Sequence, residues 1–210
     1  QRRKSGGLMQ SLLKLSKAID SLNQLCGRVV MWVVLLVVVI SSYNAIARKF
    51  FDSSSNAWLE VQWYLFGALF LLTGGYTFLR NEHVRVDVLA SRLSERKQIV
   101  IEAACVVLFM LPACVAIMAL SWPVFMDSYL TQEVSSNSGG LIRWPAKLII
   151  PIGFALISLQ GISHLIKCIG FLRGACPNPN KKLQEKSPEE LLAEEIARQA
   201  EAKLAHQHKG

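Results

Sequence analysis

From position 29 to position 46 the chain carries no charged residue at all. A helix built from that stretch is apolar on every side, and water does not solvate such a helix. A bilayer does: its hydrocarbon core is about 30 Å thick and takes about 20 apolar residues as helix. Three more stretches of this kind follow, so the expected spans are 25–47, 57–79, 99–121 and 148–169. The chain is 52% hydrophobic, and its charges collect in the gaps between these blocks. A soluble helical domain would spread them along one face of every helix.

Orientation is read from Lys and Arg. Nineteen of the 23 fall in the N-terminal segment, the loop after the second span and the C-terminal tail; four, Arg48, Lys49, Arg143 and Lys147, fall on the other side. This asymmetry places both termini in the cytoplasm. Trp58, Trp63, Trp122 and Trp144 gather near the outer boundary and Trp32 near the inner one, where indole rings prefer to sit. The net charge of +8 follows from topology, and no nucleic-acid partner is inferred from it.

The expected fold is all-α and integral to the membrane, with four transmembrane helices, N-in and C-in. Residues 1–24 form a cytoplasmic amphipathic segment, 25–172 the transmembrane domain and 173–210 a cytoplasmic tail. In the first segment Leu8, Leu12, Leu15, Ile19 and Leu22 recur at three- and four-residue spacing, which fits a helix on the inner membrane surface or an extension of the first span. In the tail, Pro177 and Pro179 end the fourth helix. Ser187-Pro188 with Glu190 then caps a soluble helix in which Glu194 and Arg198 are spaced to pair. The basic start lacks the pattern of a cleaved leader, so the first span is read as an anchor. Pro112, inside the third span, removes one backbone hydrogen bond and predicts a kink.

Few residues carry chemistry. Cys26, Cys105, Cys114, Cys168 and Cys176 form no CxxC pair, and their odd number argues against a disulfide framework. No Walker loop, HExxH, nucleophile elbow or acid pair is present, so neither enzyme activity nor a cofactor is expected. Glu60, about a turn inside the second span with Gln62 behind it, reads either as an ion ligand or as an anchor paired with Arg48, Lys49 or another subunit. Glu102 is placed to reach the inner interface, and His164 has no second axial ligand to make a haem site. Arg80, Asn81, His83, Arg85 and Asp87 form the densest polar cluster, interleaved with valines. Gly139 and Gly140 suit a tight turn, after which Trp144-Pro145 starts the fourth helix.

Five features occur in order: Glu60-x-Gln62, the run from Arg80 to Asp87, Ser121-Trp-Pro123 ending the third span, Gly139-Gly-Leu-x-Arg143-Trp144-Pro145, and Leu159-Gln160-Gly-Ile162. From about residue 25 to 172 the chain thereby resembles the small permease (Q, DctQ-type) subunit of tripartite ATP-independent periplasmic transporters. Ile142 stands where members often carry proline. The resemblance implies sodium-dependent uptake of an organic acid anion across the bacterial inner membrane. A periplasmic substrate-binding protein delivers the anion, a large membrane permease (M) subunit moves it by an elevator motion, and the small subunit is a lipid-embedded scaffold. On that reading Glu60, Gln62, Arg80, Asn81, His83, Arg85, Asp87, Gly139, Gly140, Arg143, Trp144, Pro145 and Gln160 are contacts to the partner or within the scaffold. The rival readings are a self-contained small transporter or channel, and a membrane anchor of another complex.

Overall fold

The computed structural model describes residues 2–51, 56–80, 94–137 and 139–179, with side chains from Met9 onward. The cluster residues Asn81, His83, Arg85 and Asp87, and the tail helix expected after Ser187, lie outside the described residues.

The described residues form four long helices: α1 (Arg2–Phe50), α2 (Asn56–Arg80), α3 (Glu95–Leu130) and α4 (Trp144–Leu172). The only strand-like feature among the described residues is one antiparallel bridge, Val134 to Ile142. Helix α4 is the centre. It packs against α1, α2 and α3, and α1 also packs against α2. Half of α4's most apolar window is buried, against 6% for α1 and 11% for α3. Most large apolar side chains of α1 and α3 therefore point outward, as they do when the solvent is lipid.

Three of the helices, α1 from Met9, α3 and α4, are long and apolar enough to cross a membrane. Helix α2 is long enough at 25 residues, but Glu60, Gln62 and the run Thr73-Gly-Gly-Tyr-Thr77 dilute its hydropathy.

The N-terminal segment is not set apart from the first span. Helix α1 runs 49 residues without a break, and its first half packs along the end of α4. Its buried face meets the leucine stripe only at Ile19. Ile19 is buried and Leu15 and Leu22 are exposed; beside Ile19 the buried positions include Met9, Ser16, Asn23, Val30 and Asn44. These last five lie seven residues apart or a multiple of seven, the spacing of a helix–helix seam.

Helix α3 accommodates Pro112 by a local change of pitch. Residues Val106–Met110 form a π-helical turn, and the Leu111 amide donates to the Val106 carbonyl five residues back. Such bulges are a recognised way to re-register a helix around a proline. Ser121-Trp-Pro123 does not end the helix as expected, because α3 continues through Pro123 to Leu130. A proline costs one backbone bond, and the seven residues beyond it keep the rest of the ladder. Pro145 sits in the first turn of α4, where no amide is needed.

Candidate functional site

Two polar clusters sit at opposite ends of the bundle. One is at the loop end, where α3 is joined to α4; the other is at the terminal end, where the first half of α1 meets the last third of α4.

The loop end is built on Glu60. Its Oε1 accepts from the Ser135 hydroxyl and from Asn137 Nδ2 at 2.8 Å, and its Oε2 accepts from the Leu141 amide at 2.7 Å. The side chain is 5% exposed. Glu60 thus pairs with neither Arg48 nor Lys49: neutral donors from the connecting loop surround it. A carboxylate has about four acceptor sites, and three are filled from within the chain.

The loop has the shape that this carboxylate needs. Ser135 N–H donates to the Leu141 carbonyl and Arg143 N–H to the Glu133 carbonyl, each at 2.9 Å, so the two sides of the loop are antiparallel. Gly140 N–H closes the tip on the Asn137 carbonyl at 2.9 Å. Gly139 has φ +72°, the left-handed region that glycine adopts without strain. A Cβ on Gly140 would lie 2.9 Å from the Asn137 carbonyl oxygen, so the second glycine is needed for space. Ile142 donates none of the bonds flanking the bridge, so a proline there would remove no ladder hydrogen bond.

Beside the tip, Glu133 pairs with Arg143 at 3.4 Å and with Lys147 on the first turn of α4. The hydrogen bond from the Lys147 ammonium holds the Glu133 carboxyl below the usual carboxylate range. Trp144 packs edge-on against Tyr129, with centroids 5.5 Å apart. Gln62 Nε2 donates to the Ser41 hydroxyl and so ties α2 to α1.

At the terminal end, Asp20 on α1 is the hub. Its Oδ1 accepts from Ser163 Oγ at 2.7 Å and Gln160 Nε2 at 3.0 Å, and its Oδ2 meets Lys167 Nζ at 2.6 Å. Asn23 Nδ2 donates to Gln160 Oε1 at 2.9 Å, and the hydroxyls of Ser16 and Ser163 are 2.8 Å apart. These groups zip α1 to α4. Next to them His164 Nε2 lies 3.3 Å from Glu102 Oε1 of α3, and Phe78 of α2 packs at a steep angle on the imidazole, with ring centroids 5.3 Å apart. Glu102 therefore turns to a neighbouring helix. Arg80 folds back on its own helix, with Nε 3.0 Å from the Tyr76 hydroxyl and the guanidinium over the ring.

The structure brings Glu60, Gly139, Gly140, Arg143, Trp144 and Pro145 to one end, leaves Gln62 a little deeper, and puts Gln160 and Arg80 at the other. Sequence reasoning missed Ser135, Asn137, Glu133, Asp20, Asn23 and Ser163. The seven-residue spacing of Ser16 and Asn23 was the available signal for the seam; for the loop there was none, because backbone amides carry no sequence mark. Among the described residues no group of three His, Cys, Asp or Glu is placed to hold a metal.

Apolar helices whose polar groups are used on one another define a polytopic helical membrane protein. Residues 21–170 match the family model described as tripartite ATP-independent periplasmic transporters, DctQ component, and the chain belongs to that family. It is a small membrane subunit of a transporter of this class. Neither a curated protein nor a solved structure gave a match.

Proposed function

We propose that this chain is the stationary scaffold of its transporter, holding a large sodium-driven elevator subunit while an organic acid anion, delivered by a periplasmic binding protein, crosses the inner membrane. All four helices span the bilayer, with both termini in the cytoplasm and the Glu60 loop facing the periplasm. Helix α2 supports the fourth span by length, about 37 Å at 1.5 Å per residue.

The observation that carries the reading is the use of Glu60. It accepts three hydrogen bonds from one rigid loop, so it serves the architecture of the subunit. The same holds for Asp20 and Gln160, whose bonds lock α1 to α4. A scaffold needs internal locks of this kind, since small polar groups and close packing hold helices together where lipid offers no hydrophobic drive.

Co-purification with a large permease subunit of the same transporter, followed by reconstitution, tests the proposal. A stable complex is expected, with sodium-driven uptake only when all three parts are present. Uptake by liposomes holding this chain alone would overturn the scaffold role.

A further inference from the structure

Helix α3 is two pieces joined at a weak point. The π-helical turn Val106–Met110 is followed at once by Pro112, which has no amide to donate, so the backbone ladder is loosest there. The two pieces are held unequally. Leu111–Leu130 lies along α4, whereas Glu95–Cys105 packs lightly on α4 and, among the described residues, has Ile99 as its one buried side chain. The joint itself is seated on α4. The Met110 methyl occupies the place where a Cβ on Gly161 would stand, and Val106 Cγ1 would be 3.5 Å from it.

About a turn farther along, His164 of α4 meets Glu102 of the inner piece, Nε2 to Oε1 at 3.3 Å. His164 is buried in the best-packed helix; Glu102 belongs to the piece held least. The Nε2 atom is not aligned for a hydrogen bond with this carboxylate, so charge governs the contact. Histidine is the side chain whose ordinary charge change falls in the physiological range. With a neutral imidazole the contact is weak and parts at little cost. An imidazolium within a span is costly without an anion, so once His164 carries a proton, moving Glu102 away strands that charge. Proton and closed contact therefore favour each other. The charges nearby are engaged elsewhere. Lys167, one turn on along α4, is paired with Asp20 of α1 at 2.6 Å, and Arg80 of α2 lies against Tyr76, while Phe78 brings only a ring. On the inner piece Glu95 reaches Asn178, and Arg96 and Lys97 are exposed.

We infer that residues 95–105 are a hinged arm of α3, turning at the π-helical joint and fastened to α4 when His164 is protonated and pairs with Glu102. The arm closes on acidification and is released as pH rises. It does not depend on the scaffold role, to which it adds one jointed part.

Double electron–electron resonance on the full chain in lipid nanodiscs tests this, with spin-labelled unnatural residues so that the cysteines stay untouched. One label pair, at Ile101 and Ile169, spans the arm and α4; a reference pair, at Leu120 and Ile152, spans the outer piece of α3 and α4, and all four positions are exposed. Between about pH 5 and about pH 8 the arm pair should pass from a narrow to a broad distance distribution. Its displaced fraction should rise about threefold or more, the change that one interhelical polar contact supports, while the reference pair stays narrow. His164→Gln and Glu102→Gln should each leave the arm pair broad at both pH values. An arm pair that is the same at both pH values in the unaltered chain overturns the proton latch, as does a pH response that survives in His164→Gln. Equal broadening of both pairs is a general loosening and overturns the hinge. Where a variant fails to fold, the unaltered chain's response against its reference pair still decides.

Discussion

Gly75 of α2 sits where α1, α2 and α4 come closest, and adding one methyl group there tests the packing of all three. A Cβ at Gly75 would lie 2.1 Å from Asn23 Oδ1 and 3.2 Å from the Leu156 carbonyl oxygen. Asn23 cannot simply rotate away, because its Nδ2 is engaged by Gln160 Oε1 at 2.9 Å and by the Ile19 carbonyl at 3.2 Å. Overpacking a core costs about 1–3 kcal/mol, and an interhelical hydrogen bond lost in a membrane protein adds about 0.6–1.7 kcal/mol. Against this, alanine is about 1 kcal/mol better than glycine in a helix. Gly75→Ala is therefore expected to destabilise the chain by about 1–3 kcal/mol. In an Asn23→Ala background the clashing oxygen is gone, leaving the 3.2 Å approach to the Leu156 carbonyl oxygen, which a shift of a few tenths of an ångström relieves. There the same substitution should be neutral or stabilising by up to about 1 kcal/mol. The sign change is the prediction, measured as a double-mutant cycle by reversible unfolding in mixed micelles with helicity as the signal. Equal destabilisation in both backgrounds would refute the assignment of this close approach to Asn23.

Three further outcomes follow from the same geometry. Glu60→Gln turns an amide donor toward either the Leu141 amide or the Ser135 and Asn137 donors, so amide exchange across residues 133–143 should quicken and assembly weaken, while the sodium dependence of uptake stays unchanged; an altered sodium stoichiometry would instead make Glu60 an ion ligand. Glu133 titrates below its ordinary range because of Lys147, so its contribution to loop order is present above the unfolded carboxylate pKa and is lost as pH falls through the lowered folded value. A spin label at the exposed Ser136 should gain mobility only on acidification past that range, and Lys147→Met should make it mobile at neutral pH as well. Gly153→Ala places a methyl 2.9 Å from the Leu71 carbonyl oxygen, backbone that cannot step aside, and should lower stability by about 1–3 kcal/mol in the same micelle assay.

The all-helical fold, with long helices apolar enough for a membrane, was legible in the sequence, because it follows from local quantities: apolar run length against bilayer thickness, and a proline at the first turn of α4. The family too was legible, from five short motifs in order. The faces were not. In the first half of α1 the leucine periodicity shares only Ile19 with the packed side; that side is marked instead by small and polar residues, Ser16, Asn23 and Gly27, since leucine gains nothing by leaving hydrocarbon for protein. The fate of Glu60 was equally hidden. Its depth could be read from position, but its partners are one side-chain amide, one hydroxyl and one backbone N–H brought 75 to 81 residues back along the chain by the turn at Gly139 and Gly140. Sequence thus determined that the chain lives in a membrane as long helices. Only tertiary structure decided which polar groups those helices use to hold one another, because hydrogen bonds depend on positions that no local pattern records.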